Sequence, residues 1–293
     1  MEMVEKGPAR RTILTAAAAL LAAALPWPAR AGSDAPRIAA IDWAMLETAV
    51  ALGHMPIAVA ELIQFRRNST TVLPAATIDL GLRGAPNLEV LHLSRPDLIL
   101  SSSYYTTFEP QLARIAPVLS LTLFAPGVPP LQPLTEALDR LALRLDDPAA
   151  AAHARKEAEA RLNAAAARLS AHAGRPLALI DVGDQRHVRV FGADSLFGAT
   201  LARLGLANAW SGDTAYSFLA PVPIERLAEI PEATLILTGP VPPHAAEALA
   251  ESLLWRALPQ VALGRVLQLP RMNAFGGLPS ALHFADCLVT AMA

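Results

Sequence analysis

The chain has 293 residues, of which 53% are hydrophobic and 17% charged, and its formal net charge at pH 7 is −2. This weakly acidic balance argues against nucleic acid as a partner, because phosphate binding requires a basic surface. The one cysteine, Cys287, excludes an internal disulfide and a cysteine-based zinc site, and its apolar surroundings predict a buried, unreactive thiol.

Residues 1–31 have the pattern of an export signal. Arg10-Arg11 precede an apolar run over 16–25, and Ala29-Arg30-Ala31 then places small residues at the two positions that a signal peptidase reads. The paired arginines are typical of a twin-arginine signal, and the run is shorter than the roughly 20 residues that span a bilayer. We therefore expect a soluble protein of the periplasm.

The first half of the chain, residues 32–145, alternates short apolar runs with helical patterns. Asp42 is expected to cap a helix that ends at Gly53, and residues 64–76 and 120–133 are expected to be connections. The remaining predicted elements are strands at 37–41, 56–60, 77–82 and 96–101 and helices at 86–91 and 134–145.

One long helix is predicted at 146–174, between Asp146 or Asp147 as its cap and Gly174 as its stop. About 27 residues give a helix roughly 40 Å long, against a typical length of about 11–12 residues. It is either a long surface helix within one domain or a rigid connection between two lobes. The second interpretation is favoured because the strand-and-helix pattern starts again after it.

In the second half, residues 175–293, the run Ala233-Thr234-Leu235-Ile236-Leu237 matches Pro96-Asp97-Leu98-Ile99-Leu100 of the first half. Each run follows a short helix and leads into a loop. The predicted elements are strands at 176–181, 187–192, 233–237 and 264–269, helices at 196–204 and from 224, and a C-terminal helix.

This pattern predicts an α/β fold of two lobes, each a mostly parallel sheet covered by helices, joined by one long helix. Ligands of such sheets bind beyond the carboxyl ends of the strands. Arginine donates to anionic oxygens, and aromatic faces cover apolar ligand surface. Taken singly, the residues of these types that follow strands suit a surface or packing role, but as a set they predict a small-molecule cleft: Arg83, Tyr104, Tyr105, Tyr216 and Phe218.

No catalytic constellation can be identified in the sequence. The seven histidines are scattered without metal-ligand spacing, and there is no Gly-rich phosphate loop and no Gly-x-Ser-x-Gly motif. The run Ser101 to Ser103 contains a candidate nucleophile, but it has no recognisable His–Asp partners. Polar lining of a loop is the favoured interpretation of these serines.

Several sequence blocks resemble one known family along essentially the whole chain after the export signal. They are AIDWAMLETAVALGHMPIAVA, IDLGLRGAPNLEVL with RPDLIL, QLARIAP, RHVRVFGADSLFGATLARLGLANAWSGDT and LPSALHFADCL. The chain thereby resembles the periplasmic ferric hydroxamate (ferrichrome-type) siderophore-binding proteins. These belong to the helix-linked class of binding proteins that serve ABC importers.

The resemblance implies a binding protein rather than an enzyme. Its ligand would be an Fe(III)–siderophore and its partner an inner-membrane ABC permease, and we expect a monomer. No cofactor is implied, since the siderophore already fills the coordination sphere of the iron. The family's hydroxamate-contacting Arg and Tyr fall on Arg83 and Tyr105, with Tyr104 beside them.

Two further sets of residues follow from the resemblance. The family's cleft tryptophans are replaced here by polar residues, which neighbouring aromatic side chains can compensate. Acidic residues on each lobe are expected to dock to arginines of the permease. The replaced positions are Arg67, Ser217 and Asn273; the neighbouring aromatics are Tyr216, Phe218 and Phe275; the docking candidates are Glu109, Glu229 and Glu232.

Two alternatives stay open at the level of sequence. The first is a binding protein for another chelate, such as cobalamin, haem or a catecholate siderophore, whose triple charge Arg67, Arg83 and Arg189 would meet. The second is an exported serine hydrolase that uses Ser101 to Ser103. The long helix also lacks proline between Ala149 and Ala173, so only a small lobe rotation on binding is expected.

Overall fold

The computed structural model describes residues 35–212 and 220–293. The predicted export signal at 1–31 and three predicted ligand contacts, Tyr216, Ser217 and Phe218, lie outside these residues. None of the helices in the described ranges has the length and apolar character needed to cross a bilayer. Residues Pro36–Ala293 form one unit that contains two five-stranded sheets.

The first sheet is parallel throughout, in the order β3-β2-β1-β6-β7, and a small antiparallel hairpin, β4-β5, lies beside it. The strands are β1 (Ile38–Ala40), β2 (Ala58–Val59), β3 (Ile78–Asp79), β4 (Gly81–Leu82), β5 (Ala85–Pro86), β6 (Leu98–Ser102) and β7 (Val118–Leu121). The helices are α1 (Trp43–Ala51), α2 (Leu62–Asn68), α3 (Leu88–Leu93), α4 (Glu109–Leu112) and α5 (Leu131–Arg144), with a 3₁₀ turn at Ser103–Phe108.

Both predicted connections of this half are partly wrong. The region 64–76 begins inside α2, where Leu62 and Phe65 are the only buried residues, too few to produce a helical pattern in the sequence. The region 120–133 contains the end of β7 and the first turn of α5. Pro133 fits that first turn because the missing amide would have no helical partner there.

The long helix is α6 (Pro148–Leu169), 22 residues, followed by a 3₁₀ turn at Ser170–His172. Asp147 caps it, accepting the Ala150 amide at 3.2 Å. One face is buried against α5 and α11, the C-terminal helix at Leu278–Ala291, and consists of Ala151, Ala154, Ala158, Leu162, Ala165 and Leu169. The helix is therefore part of the core, and the lobe boundaries drawn from the sequence on either side of it stay a prediction.

The second sheet has the order β10-β9-β8-β11-β12 and is parallel only from β8 to β12. Its other side, β8-β9-β10, is antiparallel. A tight turn joins β8 to β9, and the Asp184 carboxylate closes it by accepting the amides of Arg186 and His187. The strands are β8 (Leu177–Val182), β9 (His187–Val190), β10 (Ala220–Pro223), β11 (Thr234–Leu237) and β12 (Val266–Gln268). The helices are α7 (Leu196–Arg203), α8 (Pro243–Glu251), α9 (Leu253–Ala257), α10 (Pro259–Ala262) and α11, with a 3₁₀ turn at Ile224–Glu229.

Side chains alternate between the two faces of each sheet, as buried strands require. In β1, Ile38 and Ala40 face the large central core, while Ala39 faces a separate cluster on the outer side. In β8, Leu179 faces the same central core and Ile180 faces an outer cluster of its own. One apolar core thus runs continuously between the two sheets.

Candidate ligand-binding cleft

A cleft of about 300 Å³ lies beyond the carboxyl ends of strands from both sheets. Asp181 lies near the carboxyl end of β8, and each of the other lining residues follows a strand directly or belongs to a segment that a strand leads into. The first half contributes Trp43, Glu61, Gln64, Asn68 and Arg83; the second contributes Asp181, Phe191, Phe197, Thr238, Gly239, Pro240, Arg271, Met272, Asn273, Ala274 and Phe275. Its location agrees with the ligand site expected from the sequence at this end of the sheets.

Arg83 is held in the cleft by two contacts. Its Nε donates to Glu61 Oε2 at 2.8 Å, and its guanidinium lies 3.9 Å from the centroid of the Trp43 ring. Glu61 adopts a left-handed backbone (φ 52°) and also accepts the Arg83 amide at 3.3 Å. The Arg83 and Glu61 side chains are only 25% and 21% exposed, so this ion pair is partly shielded from solvent.

Sequence analysis identified Arg83 but missed Trp43 and Glu61. Both follow strands of the first sheet, Trp43 after β1 and Glu61 after β2. Position at a strand end was therefore the available signal for both of them. The contacts with Arg83 were not readable, because they join residues 40 and 22 positions apart.

The two predicted tyrosines lie in the 3₁₀ turn after β6. Tyr105 is half-buried, whereas Tyr104 is 55% exposed, and neither is among the residues that line the cleft. Burial raises the pKa of Tyr105 to about 12; the positive charge of Arg83 acts against this rise, while the negative charges of Asp42 and Glu61 add to it. The phenol is therefore neutral at physiological pH and can donate a hydrogen bond.

Asp42 is a buried carboxylate behind these residues. It accepts the Met45 amide at 2.9 Å, as the predicted cap of α1, and the Ser102 hydroxyl at 2.9 Å. Burial raises its pKa, while these bonds and the charge of Arg83 act in the opposite direction. Asp42 therefore holds the first turn of α1, which begins with Trp43, against the end of β6.

The candidate serine nucleophiles do not form a catalytic pair in the described part of the chain. Ser102 is bound to Asp42, Ser101 is buried without a hydrogen-bond partner, and Ser103 is exposed. No hydrogen bond among the described residues joins a histidine to any of the three.

The wall from the second half carries a carboxylate and one arginine, and a second arginine that does not line the cleft lies next to the carboxylate. Asp181 lies 3.7 Å from Arg189, and Arg271 lines the same side of the cleft. Burial raises the pKa of Asp181, and the charges of Arg189 and Arg271 act against that rise. Arg189 is therefore paired rather than available as an isolated cation, and Asp181 and Arg271 are lining residues that sequence analysis missed.

Two predicted contacts, Asn273 and Phe275, line this wall as well. Asn273 is buried and its Oδ1 accepts the Phe275 amide at 3.1 Å. The Phe275 ring packs edge-on against Phe124 with centroids 5.8 Å apart. Arg67 lies elsewhere: it is exposed on α2, next to the lining residue Asn68, and is not among the lining residues of the cleft.

The three acidic residues predicted to dock to a permease differ in exposure. Glu109 begins α4 and is half-buried, with its Oε1 out of contact with solvent. Glu229 is exposed and paired with Arg226 at 2.7 Å. Glu232 is exposed in the turn that precedes β11.

Comparisons with known proteins agree with this architecture. A model of the periplasmic binding protein family matches residues 38–272. The iron(3+)-hydroxamate-binding protein FhuD of Escherichia coli is 34% identical over 263 residues, which cover 89% of this chain and 88% of that protein. Both comparisons lead to binding proteins.

Solved structures support the same fold. FhuD from Vibrio cholerae with bound Fe3+-Desferal gives a TM-score of 0.82 at 24% identity, covering 88% of this chain and 98% of that one. Staphylococcus aureus SirA complexed with staphyloferrin B gives 0.64 at 19% identity, covering 89% and 94%. The two-lobed α/β architecture predicted from the sequence is confirmed.

Proposed function

Because this chain belongs to the periplasmic binding protein family, we propose that it captures an Fe(III)–siderophore of the hydroxamate type and delivers it to an inner-membrane ABC importer. The observation that carries the proposal is the cleft itself, in which the Arg83 guanidinium lies over the Trp43 ring beyond the strand ends. Tyr105 is not among the lining residues, but it is near enough to Arg83 for that charge to act on the pKa of its phenol. The curated relative binds iron(3+)-hydroxamate, and its 34% identity supports the same ligand class here.

The chemistry of these groups suits a chelate whose metal is already coordinated. Hydroxamate oxygens bound to Fe(III) carry partial negative charge, and donors can bond to them without displacing the metal. Of the three guanidinium nitrogens of Arg83, only Nε donates a hydrogen bond to another described residue, Glu61. The two terminal nitrogens therefore remain available to a ligand. Trp43 and Phe275 offer aromatic surface to the organic part of the siderophore.

The charges of the lining favour a neutral complex over a catecholate. Within the described residues, the ionisable lining groups are Glu61 and Asp181 against Arg83 and Arg271, which balance. Three singly charged hydroxamates also neutralise Fe(III), whereas three catecholates leave a triply charged anion. Such an anion requires an excess of basic groups, and both Arg83 and Arg189 already have carboxylate partners.

The remaining parts of the proposal concern delivery. Residues 1–31 direct export by the twin-arginine route, and the mature protein acts as a monomer in the periplasm. Iron enters only within the siderophore, so no resident cofactor takes part. Glu109, Glu229 and Glu232 dock to the permease, and exposure at Glu229 and Glu232 supports this role more strongly than the half-buried position of Glu109.

Fluorescence titration of the purified protein tests the ligand class. Trp43 lies under Arg83 in the cleft, so a bound Fe(III) complex should quench its emission. Ferrichrome and ferrioxamine B should quench with saturable curves, while ferric enterobactin, cyanocobalamin and haem should not. Iron-free ferrichrome is the control for non-specific effects, and tight binding of enterobactin or cobalamin instead would overturn the proposal.

A further inference from the structure

Glu47 is a carboxylate buried completely on α1, with 0% of its surface exposed. Its Oε1 accepts from Ser69 Oγ (2.9 Å), Ser280 Oγ (2.8 Å) and Asn273 Nδ2 (3.3 Å). Its Oε2 accepts the backbone amides of Gly277 (2.8 Å) and Ser280 (3.2 Å). Burial raises the pKa of Glu47, and the hydrogen bonds from these donors act against that rise by stabilising the carboxylate.

Three of these bonds reach the start of α11. Gly277 is the N-cap residue of that helix and has no side chain with which to cap it. Glu47 supplies the missing carboxylate from α1, because the amides it accepts are those of the N-cap and of the third helical residue, Ser280. Gly276 is required for this approach, since a Cβ there would lie 2.6 Å from Glu47 Oε2.

The remaining bond to the second half reaches the wall of the cleft. Both ends of the Asn273 side-chain amide are used: Oδ1 accepts the Phe275 amide and Nδ2 donates to Glu47. Glu47 thereby determines which way this amide faces, and with it the backbone at Phe275. Helix α1 also carries Trp43, so one helix is joined to the Trp43–Arg83 wall and to the Asn273–Phe275 wall of the same cleft.

We propose that Glu47 is a positioning residue for ligand binding, which holds the cleft wall at Asn273 and Phe275 in its binding geometry through the bond to Asn273. The cap on α11 anchors the far end of the same segment. The inference rests on the proposed function, because it assumes that this cleft is where the ligand binds.

The substitution Glu47→Gln separates the two roles of the carboxylate. The amides of Gly277 and Ser280 can only donate, so the oxygen of the new amide takes the place of Oε2 and keeps the cap. The new NH2 group then replaces Oε1 and faces two hydroxyls, which can accept, and Asn273 Nδ2, which cannot. Asn273 then either loses its bond to residue 47, which frees the side chain that holds the Phe275 amide, or turns over and loses the Phe275 amide directly. The Phe275 amide is less protected in both cases.

Two measurements on the purified protein test the proposal: ferrichrome affinity by fluorescence titration and hydrogen exchange at single amides. In Glu47→Gln we expect about tenfold weaker binding and faster exchange at Phe275, with Gly277 and Ser280 protected as in the wild type. In an Asn273→Ala background, Glu47→Gln should weaken binding no further. Glu157→Gln, an exposed acid on α6, is the matched control and should change neither quantity.

Asn273→Asp probes the same contact from the cleft side, and it applies even if Glu47→Gln does not fold. It places two carboxylates against each other and should weaken binding more than Asn273→Ala does. Adding Glu47→Gln to Asn273→Asp restores a donor–acceptor pair and should recover affinity.

Three results would overturn the inference: additive losses in the Asn273→Ala background, equal losses for Asn273→Ala and Asn273→Asp, or an unchanged Phe275 amide in Glu47→Gln. A wild-type protein that binds no ferric hydroxamate would contradict the proposed function instead. In that case the exchange of the Phe275 amide still decides whether Glu47 holds the wall.

Discussion

Replacing Arg83 with alanine should weaken ferric hydroxamate binding strongly without unfolding the protein. The change removes the guanidinium donors and the cation stacked 3.9 Å from the Trp43 ring. A hydrogen bond to a charged group contributes about 1.5–3 kcal/mol, which corresponds to a loss of roughly tenfold to 150-fold in affinity. The side chain is one quarter exposed and lies at the cleft, so the core is left intact.

A second consequence of this substitution involves Glu61. Without its partner the Glu61 carboxylate remains charged in the cleft, close to where the ligand oxygens would lie. The lining then has an excess of negative charge, which adds to the loss. The double variant Arg83→Ala/Glu61→Ala should therefore bind the ferric hydroxamate more tightly than Arg83→Ala alone.

The assay is titration of ferrichrome against wild type, Arg83→Ala, Arg83→Lys and the double variant, with thermal unfolding as a check on the fold. Lysine keeps the charge but not the planar fork of donors, so the ferrichrome affinity of Arg83→Lys should lie between those of the wild type and Arg83→Ala. Wild-type affinity in Arg83→Ala, with the protein folded, would refute the assignment of the cleft as the binding site.

Three further predictions follow from the same geometry. Tyr105→Phe should weaken binding by the same factor at about pH 6 and pH 9, because a pKa of about 12 keeps the phenol protonated in both conditions; a loss confined to one pH would contradict it. Glu229→Arg should lower siderophore uptake by cells without changing affinity in solution, and Glu225→Arg on the same turn is the control. Equal uptake with Glu229→Arg and with the wild type would exclude docking at Glu229. Small-angle scattering should show no resolvable drop in radius of gyration on binding; a clear drop would mean that α6 acts as a hinge.

Local signals were sufficient for much of the fold. Asp42 was identified as the cap of α1 and Asp147 as a candidate cap of α6, because capping depends on residues within one turn. The strands at Leu98–Ser102 and Thr234–Leu237 were identified because their apolar runs are bounded by turns and loops. Helix α2 was missed because its residues are mostly exposed and it begins after Glu61, which has a left-handed backbone.

The cleft was predictable only as a set of residue types at strand ends. Arg83 carries a recognisable chemistry and does line the cleft, whereas Tyr105, chosen on the same ground, is not among the lining residues and its contact with the ligand stays a prediction. Glu47 gives no such signal: it reads as an ordinary helical residue, and its partners Asn273, Gly277 and Ser280 lie 226, 230 and 233 positions away. Contacts at such separations depend on tertiary structure, and no pattern within one segment encodes them.

The packing of α6 bears on how the protein responds to its ligand. A helix exposed on all sides could bend independently of the lobes, but α6 buries one whole face against α5 and α11. Bending it would separate apolar side chains in the core that both sheets share, at a cost of about 25 cal/mol for each Å² exposed. Because α1 is also bonded to the start of α11 through Glu47, motion of one sheet against the other is resisted at two places. The packing therefore favours a cleft that is formed before the ligand arrives. Under the proposed function, we expect the permease to distinguish loaded from empty protein by small displacements at the protein surface.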